Sequence, residues 1–260
     1  MTERLLIVAM VLCSAMGAGS VAWRAIATLT GGAWGACFHD AWRRMAWLLI
    51  PAAALAAACL ACSGGFFPEQ AHVSLTRLIG RTVGVFVVWG VGAVFASRMA
   101  GPVLVAWALG CLLFATDWIV TPQTPWSSTV IGMALATGQL ASAFALAVAS
   151  SLPPPRLCER QRTADAAGLM VCLALGWAYL AGVDYLTAWV ADLPDEARWY
   201  LPRTRGAWVT LIIAAVVLHV IVPVLAVLPA RWRVHATGLR LAATSMWLGQ
   251  ACHVAWMVLP

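Results

Sequence analysis

The chain has 260 residues, of which 63% are hydrophobic and only 10% charged, and its formal charge is +6. A soluble domain carries about 25% charged residues, and the mean hydropathy here is +0.87, so a mainly aqueous surface is excluded. The basic residues are all arginine and fall in short segments between apolar runs, the pattern of cytoplasmic loops, which excludes a nucleic-acid partner.

At about 20 residues per span, the runs predict an all-α, polytopic membrane protein. Eight helices are expected over 5–23, 46–62, 82–99, 102–120, 129–152, 167–190, 207–230 and 237–259. The first run also reads as a cleaved leader, with Thr2-Glu3-Arg4 before it and Ala15 to Ser20 as the small-residue end. Against that, its head has no net charge and the run continues to Trp23.

Residues 33–47 carry Trp34, Phe38, Trp42 and Trp47 opposite His39, Asp40 and Arg43, which predicts an interfacial helix with tryptophans at headgroup depth. Cys59 and Cys62 form a C-x-x-C without a second pair, and the pattern reads as small packing residues. Ser63-Gly64-Gly65, Gly101-Pro102, Thr121-Pro122 and Pro153-Pro154-Pro155 mark helix ends. In the fifth helix Ala134, Gly138 and Ser142 form a small-residue face for close helix packing.

Ionisable groups inside spans are costly, about 2.5–3.5 kcal/mol for an aspartate at a helix centre, and so mark function or structural pairing. Asp117 lies about 5 Å below the end of its helix and reads as an acid reaching the interface, a partner for a buried base, or a proton carrier. Asp184 lies deeper and reads as a structural acid or a proton relay. His219 is mid-span, four residues before Pro223. That proline cannot donate to the carbonyl of residue 219, so a kink is expected there. His253 stands near the end of the last helix. Bis-histidine haem ligation needs imidazoles at matching depth, and the two histidines read as lying at different depths, so no haem or metal is expected on this chain. Gln139 and Gln250 read as interhelical hydrogen-bond partners.

Two stretches and the chain end carry a resemblance. Residues 117–129 include Asp117, Trp118, Trp126, Ser128 and Thr129 at the spacing of D-W-x-M-S-L-D-P-H-W-x-S-T. Residues 189–208 include Pro194, Glu196, Trp199, Tyr200, Arg203 and Trp208, similar to W-Y-A-N-x-P-E-E-T-x-W-Y-x-x-R-x-x-G-G-W. His219 with Pro223 is similar to H-F-x-x-P, and Trp256 to Pro260 is similar to Y-W-L-V-x-P. Upstream, Gly32-Ala33-Trp34 and Arg43-Arg44 form a weaker element. Together these resemble the ActF-type integral membrane subunit of bacterial alternative complex III, a quinol:cytochrome c oxidoreductase, in a shortened and diverged form. The chain departs from the pattern at Pro122-Gln123-Thr124-Pro125, where an acid and a histidine are replaced, at Asp184 in place of a glutamine, and at His253 in place of an aspartate.

The resemblance implies two four-helix bundles and a non-catalytic subunit that braces a respiratory complex and conducts protons. Candidate pathway residues are then Asp184, His219, Asp117 and His253. It implies no cofactor bound by this chain, with quinol and haem in partner subunits: a polysulfide-reductase-like membrane subunit, a cytochrome c and an iron–sulfur subunit. Ten arginines on one side against six on the other orient the chain in a bacterial inner membrane with both termini periplasmic. The competing function is a proton-coupled secondary transporter using Asp117, Asp184 and His219. Such proteins show broken helices in corresponding positions of two halves, whereas only the seventh helix reads as interrupted.

Overall fold

The computed structural model describes residues 2–31, 34–62, 74–151, 159–233 and 235–259. The breaks expected at Ser63-Gly64-Gly65 and Pro153-Pro154-Pro155, the motif residues Gly32, Ala33 and Pro260, and Arg156 and Cys158 lie outside them. The described elements are all helical, and the protein is an all-α polytopic membrane protein. Among the described residues seven helices are long and apolar enough to cross a membrane.

The helices are α1 (Thr2–Thr30), α2 (His39–Met45), α3 (Leu49–Ala61), α4 (Leu75–Phe95), α5 (Ala100–Ala115) and α6 (Ile131–Ser151). They continue as α7 (Glu159–Ala191), α8 (Pro194–Arg203), α9 (Gly206–Val216), α10 (Val222–Val227), α11 (Ala230–Arg233) and α12 (Ala236–Val258). The eighth expected span, α12, is 23 residues long but carries Arg240, Gln250 and His253. Its Gln250 and His253 are buried, and the helix packs against α6, α9, α10 and α1. A span enclosed by protein has less need of an apolar sequence than one facing lipid.

Packing divides the spans into two four-helix bundles. In the first, α1, α3, α4 and α5 form a ring, and in the second α6, α7, α9–α10 and α12 do so, with α1 and α6 as the principal contact between them. The α1–α6 approach is close enough that a Cβ on Gly19 would collide with the carbonyl of Gln139. Gln139 itself ties α5 to α6, accepting from Trp107 Nε1 at 2.9 Å and from Cys111 Sγ at 3.3 Å. Gln250 departs from expectation: it packs on Gly138, and its buried Oε1 has no partner among the described residues. Exposed Val87, Val94, Val105, Leu175, Ile213 and Leu225 supply an apolar exterior suited to lipid.

Three interactions fix which helix ends lie together. Arg4 Nη1 donates to the carbonyl of Leu259 at 2.7 Å, joining the two ends of the chain. Arg24 Nη1 donates to the carbonyl of Ala93 at 2.6 Å, so α1 and α4 run parallel. Gln123 Nε2 donates to the carbonyl of Met257 at 2.9 Å, bringing the end of α5 to the end of α12.

The expected interfacial helix takes a different role. Trp42 is fully buried, stacked on Trp23 with centroids 5.7 Å apart, and Phe38 packs against Trp42 and Phe144. This aromatic stripe seals the end of the bundles because α1 and α6 already present Trp23 and Phe144 to it. Trp47 alone of that stripe is largely exposed.

Candidate functional site

Two of the spanning helices are widened by one-residue insertions into the helical ladder. A π turn over Thr116–Val120 follows α5, and another over Val217–Ile221 links α9 to α10. Such turns recur at functional sites because they redirect side chains without ending the helix. These two enclose Asp117 and His219, two of the four ionisable residues expected to matter.

At the first turn Asp117 is buried and its Oδ2 lies 3.1 Å from Arg81 Nε on α4. Next to it Trp118 Nε1 donates to Thr82 Oγ1 at 3.1 Å. Of the readings open for Asp117, the geometry selects partnership with a base.

The π turn at His219 explains the Pro223 region differently from the expected kink. In the widened register Val222 N–H bonds the carbonyl of Val217, so the missing proline N–H would have met Leu218. Ser245 Oγ on α12 donates to that carbonyl at 2.8 Å. His219 Nδ1 pairs with the carbonyl of Met246 at 2.9 Å, and since a carbonyl only accepts, Nδ1 carries the proton. Nε2 is then an acceptor, buried and without a partner among the described residues. Gly249 makes this approach possible, since a Cβ there would strike the backbone nitrogen of His219.

His253 stands close by. Trp177 on α7 packs against both imidazoles, at centroid distances of 4.7 Å to His219 and 4.8 Å to His253. The two histidines therefore flank one indole in the second bundle, His219 lying against Gly249 and His253 about one turn further along α12, so their depths differ as read from the helix ends.

Asp184 lies toward the loop side of this group. Ser128 Oγ donates to its Oδ1 at 2.5 Å and Tyr200 OH donates to its Oδ2 at 2.7 Å. Ser128 also accepts from the backbone N–H groups of Val130 and Ile131, at 3.2 and 3.3 Å, at the start of α6. Asp184, Tyr200, Trp177 and His253 line one cavity of about 380 Å³ between α7 and α9. Thus Asp184, His253 and, through Trp177, His219 come together, while Asp117 belongs to a separate pair.

A second network closes the end of the bundle. Gln123 Oε1 accepts from Trp199 Nε1 and, at 2.6 Å, from Arg203 Nη2. Arg203 also donates to the carbonyls of Trp199 at 2.8 Å and Met257 at 3.1 Å, and Trp256 Nε1 donates to the carbonyl of Arg203 at 3.1 Å. The guanidinium lies 3.9 Å from the Trp199 ring centroid, and Trp126 stacks on Trp199 at 4.2 Å. Burial foremost, and then Arg4, pull the Arg203 guanidinium down to about 9, still charged at neutral pH. Burial and the facing Asp184 carboxylate push the Tyr200 phenol well above its usual range, which keeps it a donor.

Of the remaining motif residues, Pro194 begins α8, where a missing N–H costs nothing. Glu196 is half-buried in the same helix, and Thr129 is exposed before α6. Trp208 is partly buried against the apolar cluster that includes Trp199, Tyr200 and Trp256, and Pro223 is buried. The residues missed from sequence are Gln123 and Trp177. Gln123 had a signal, since it occupies the position of the family's acid; Trp177 was one of fifteen tryptophans without a distinguishing pattern. Among the described residues no group of three or more His, Cys, Asp or Glu could hold a metal. Comparison with protein-family models and with curated proteins finds no match to this chain.

Proposed function

We propose that this chain is an integral membrane subunit of a respiratory quinol-oxidising complex of the alternative-complex-III kind, bracing the assembly and carrying protons through its second bundle. One observation carries the reading. The residues of the resemblance come from stretches far apart in sequence, yet Trp126, Trp199, Arg203 and Trp256 form one hydrogen-bonded and stacked unit, which Gln123 joins from a position where the chain departs from the pattern. Contact among motif residues drawn from separate stretches supports reading them as one surface.

In this reading the bracing face is the Gln123–Arg203 end of the second bundle. The proton route follows Asp184, Tyr200, His253 and His219, and Asp117 serves as a structural anion for Arg81. Haem, iron–sulfur centres and quinol oxidation belong to partner subunits, a polysulfide-reductase-like membrane subunit, a cytochrome c and an iron–sulfur protein. The arginine imbalance orients the chain in a bacterial inner membrane with both termini periplasmic.

The pair of π turns favours a second reading, a proton-coupled transporter, because interrupted helices often build substrate sites. The turns do not occupy corresponding positions: one closes the fourth span of the first bundle and the other divides the third span of the second. Extraction in a mild detergent followed by mass spectrometry separates the two. Co-purification with cytochrome c and iron–sulfur subunits is expected, and a monodisperse single chain that takes up solute on a proton gradient overturns the complex.

A further inference from the structure

We infer that the cavity between α7 and α9 binds the ring of a lipid-soluble quinone or quinol. This deepens the proposal above and rests on it for the presence of such a lipid at the protein; the site is additional to any quinol-oxidising centre in a partner subunit.

The argument begins with the His253 ring. An indole N–H only donates, and Trp177 Nε1 lies 3.3 Å from His253 Nδ1. Nδ1 must therefore be the acceptor, which leaves the proton of the neutral imidazole on Nε2. His253 is 4% exposed and lines the cavity, and the hydrogen bond recorded for its ring is the one that Nδ1 accepts. Nε2–H is then the ring's remaining donor, available to an oxygen placed in the cavity.

The same cavity has an acceptor. Asp184 takes one hydrogen bond on each carboxylate oxygen, from Ser128 and Tyr200, and each oxygen retains a second lone pair. The walls between these two polar groups are apolar and aromatic, with Trp177, Trp199, Trp256, Ile212 and Val216 contributing. A volume of about 380 Å³ lies in the range of small-molecule sites, which combine apolar walls with a few placed polar groups.

A donor and an acceptor in one apolar, partly aromatic cavity match a ring that carries oxygen on opposite edges. A quinone carbonyl accepts from His253 Nε2–H, and a quinol hydroxyl donates to Asp184. An acyl chain fills the apolar space but answers neither polar group, and a soluble anion meets the Asp184 carboxylate. The lining residues Gly182, Tyr185 and Val216 are exposed, which gives a mouth toward lipid. From there an isoprenoid tail can lie along Leu186 and Ile213, also exposed.

The test uses the protein extracted with whatever partners it retains. A short-tail ubiquinone carrying an aryl azide is photoactivated on the extract and labelled peptides are mapped by mass spectrometry, with decylubiquinone or oleic acid as competitor. Labelling within 177–185 or 253–257, removed by decylubiquinone and not by oleic acid, is expected. A Cβ on Gly182 meets nothing within 4 Å, so Gly182→Leu fills the cavity from α7 without disturbing the fold, and it should abolish labelling. His253→Phe keeps a ring but removes the donor, and should weaken competition by decylubiquinone about tenfold. Labelling that survives Gly182→Leu, falls only on a partner chain, or yields to oleic acid overturns the site. The partner inventory of the same extract is scored separately, so an extract without respiratory subunits overturns the proposed complex while the labelling still decides the cavity.

Discussion

Asp184 holds two hydroxyl protons, from Ser128 and Tyr200, and faces the same cavity as His253. Asparagine keeps that shape, because the Tyr200 hydroxyl can rotate to accept from its amide while Ser128, whose lone pairs serve the Val130 and Ile131 N–H groups, still donates to its oxygen, but it cannot exchange a proton. Asp184→Asn is therefore expected to assemble normally while proton-coupled turnover in proteoliposomes falls about a hundredfold, the scale of a lost proton-transfer group. An assembled Asn variant with full turnover makes Asp184 a structural acid. Asp117→Asn removes the counter-charge of Arg81 and should reduce stability more than turnover. Arg203 carries a different kind of role: its planar fork reaches Gln123 and the carbonyls of Trp199 and Met257 at once while lying over the Trp199 ring. Lysine keeps the charge but has neither fork nor plane. Arg203→Lys should lower the unfolding free energy by about 2 kcal/mol, read as a lower thermal midpoint in detergent at unchanged subunit composition. The ionisable residues themselves were legible as candidates, because acids and histidines inside apolar runs stand out. Their partners were not. Tyr200 lies sixteen and Ser128 fifty-six residues from Asp184, and nothing local in the chain joins them.

At the scale of the helix, apolar length and proline breaks marked most spans, and the observed ends differ from expectation mainly by added turns. The first span extends to Thr30 and the sixth begins at Glu159, because polar helix ends carry no hydropathy signal. The π turns were not legible, since hydropathy has no feature that registers one extra residue in a helix. Pro223 gave a partial sign, and the structure assigns its consequence to the Leu218 carbonyl, met by Ser245, instead of to residue 219. The interruption depends on α12 coming close, and Gly249 is what allows it. Gly249→Ala puts a methyl against the His219 backbone nitrogen, where no flexible side chain can yield. Overpacking of this kind costs about 1–3 kcal/mol, although alanine is the better helix former. A lower thermal midpoint is expected, with Ser245→Ala falling in the same direction by about 1–2 kcal/mol for the stranded carbonyl. A Gly249→Ala protein as stable as the parent would mean that the two helices do not approach as closely as described.

The molecule as a whole is two antiparallel bundles joined along α1 and α6, and that pairing fixes which loops share a side. The Arg4–Leu259 bond puts both chain ends together, and the Asp117–Arg81, Gln123–Met257 and Ser128–Asp184 contacts add the ends of α5, α7 and α12 to the same side. The opposite side holds Arg24, Arg43, Arg44 and Arg98, with the helix ends on which the aromatic stripe packs. Internal contacts establish the two sides, and the proposed orientation, with the second side cytoplasmic, rests on its excess of arginine, the residues that hold a loop back from translocation. Arg203 and Arg81 weaken the count for the first side further, because one is buried in a network and the other is paired with Asp117. Ser127 and Thr204 are exposed on the first side and Ser97 is exposed on the second. Single cysteines at these positions in a cysteine-free background should separate cleanly with a membrane-impermeant maleimide. Ser127→Cys and Thr204→Cys are expected to label in intact spheroplasts, and Ser97→Cys only after the membrane is opened. The reverse pattern would invert the topology while leaving the fold intact, and it would move the mouth of the Gln123–Arg203 end, with any subunits that dock there, to the cytoplasm.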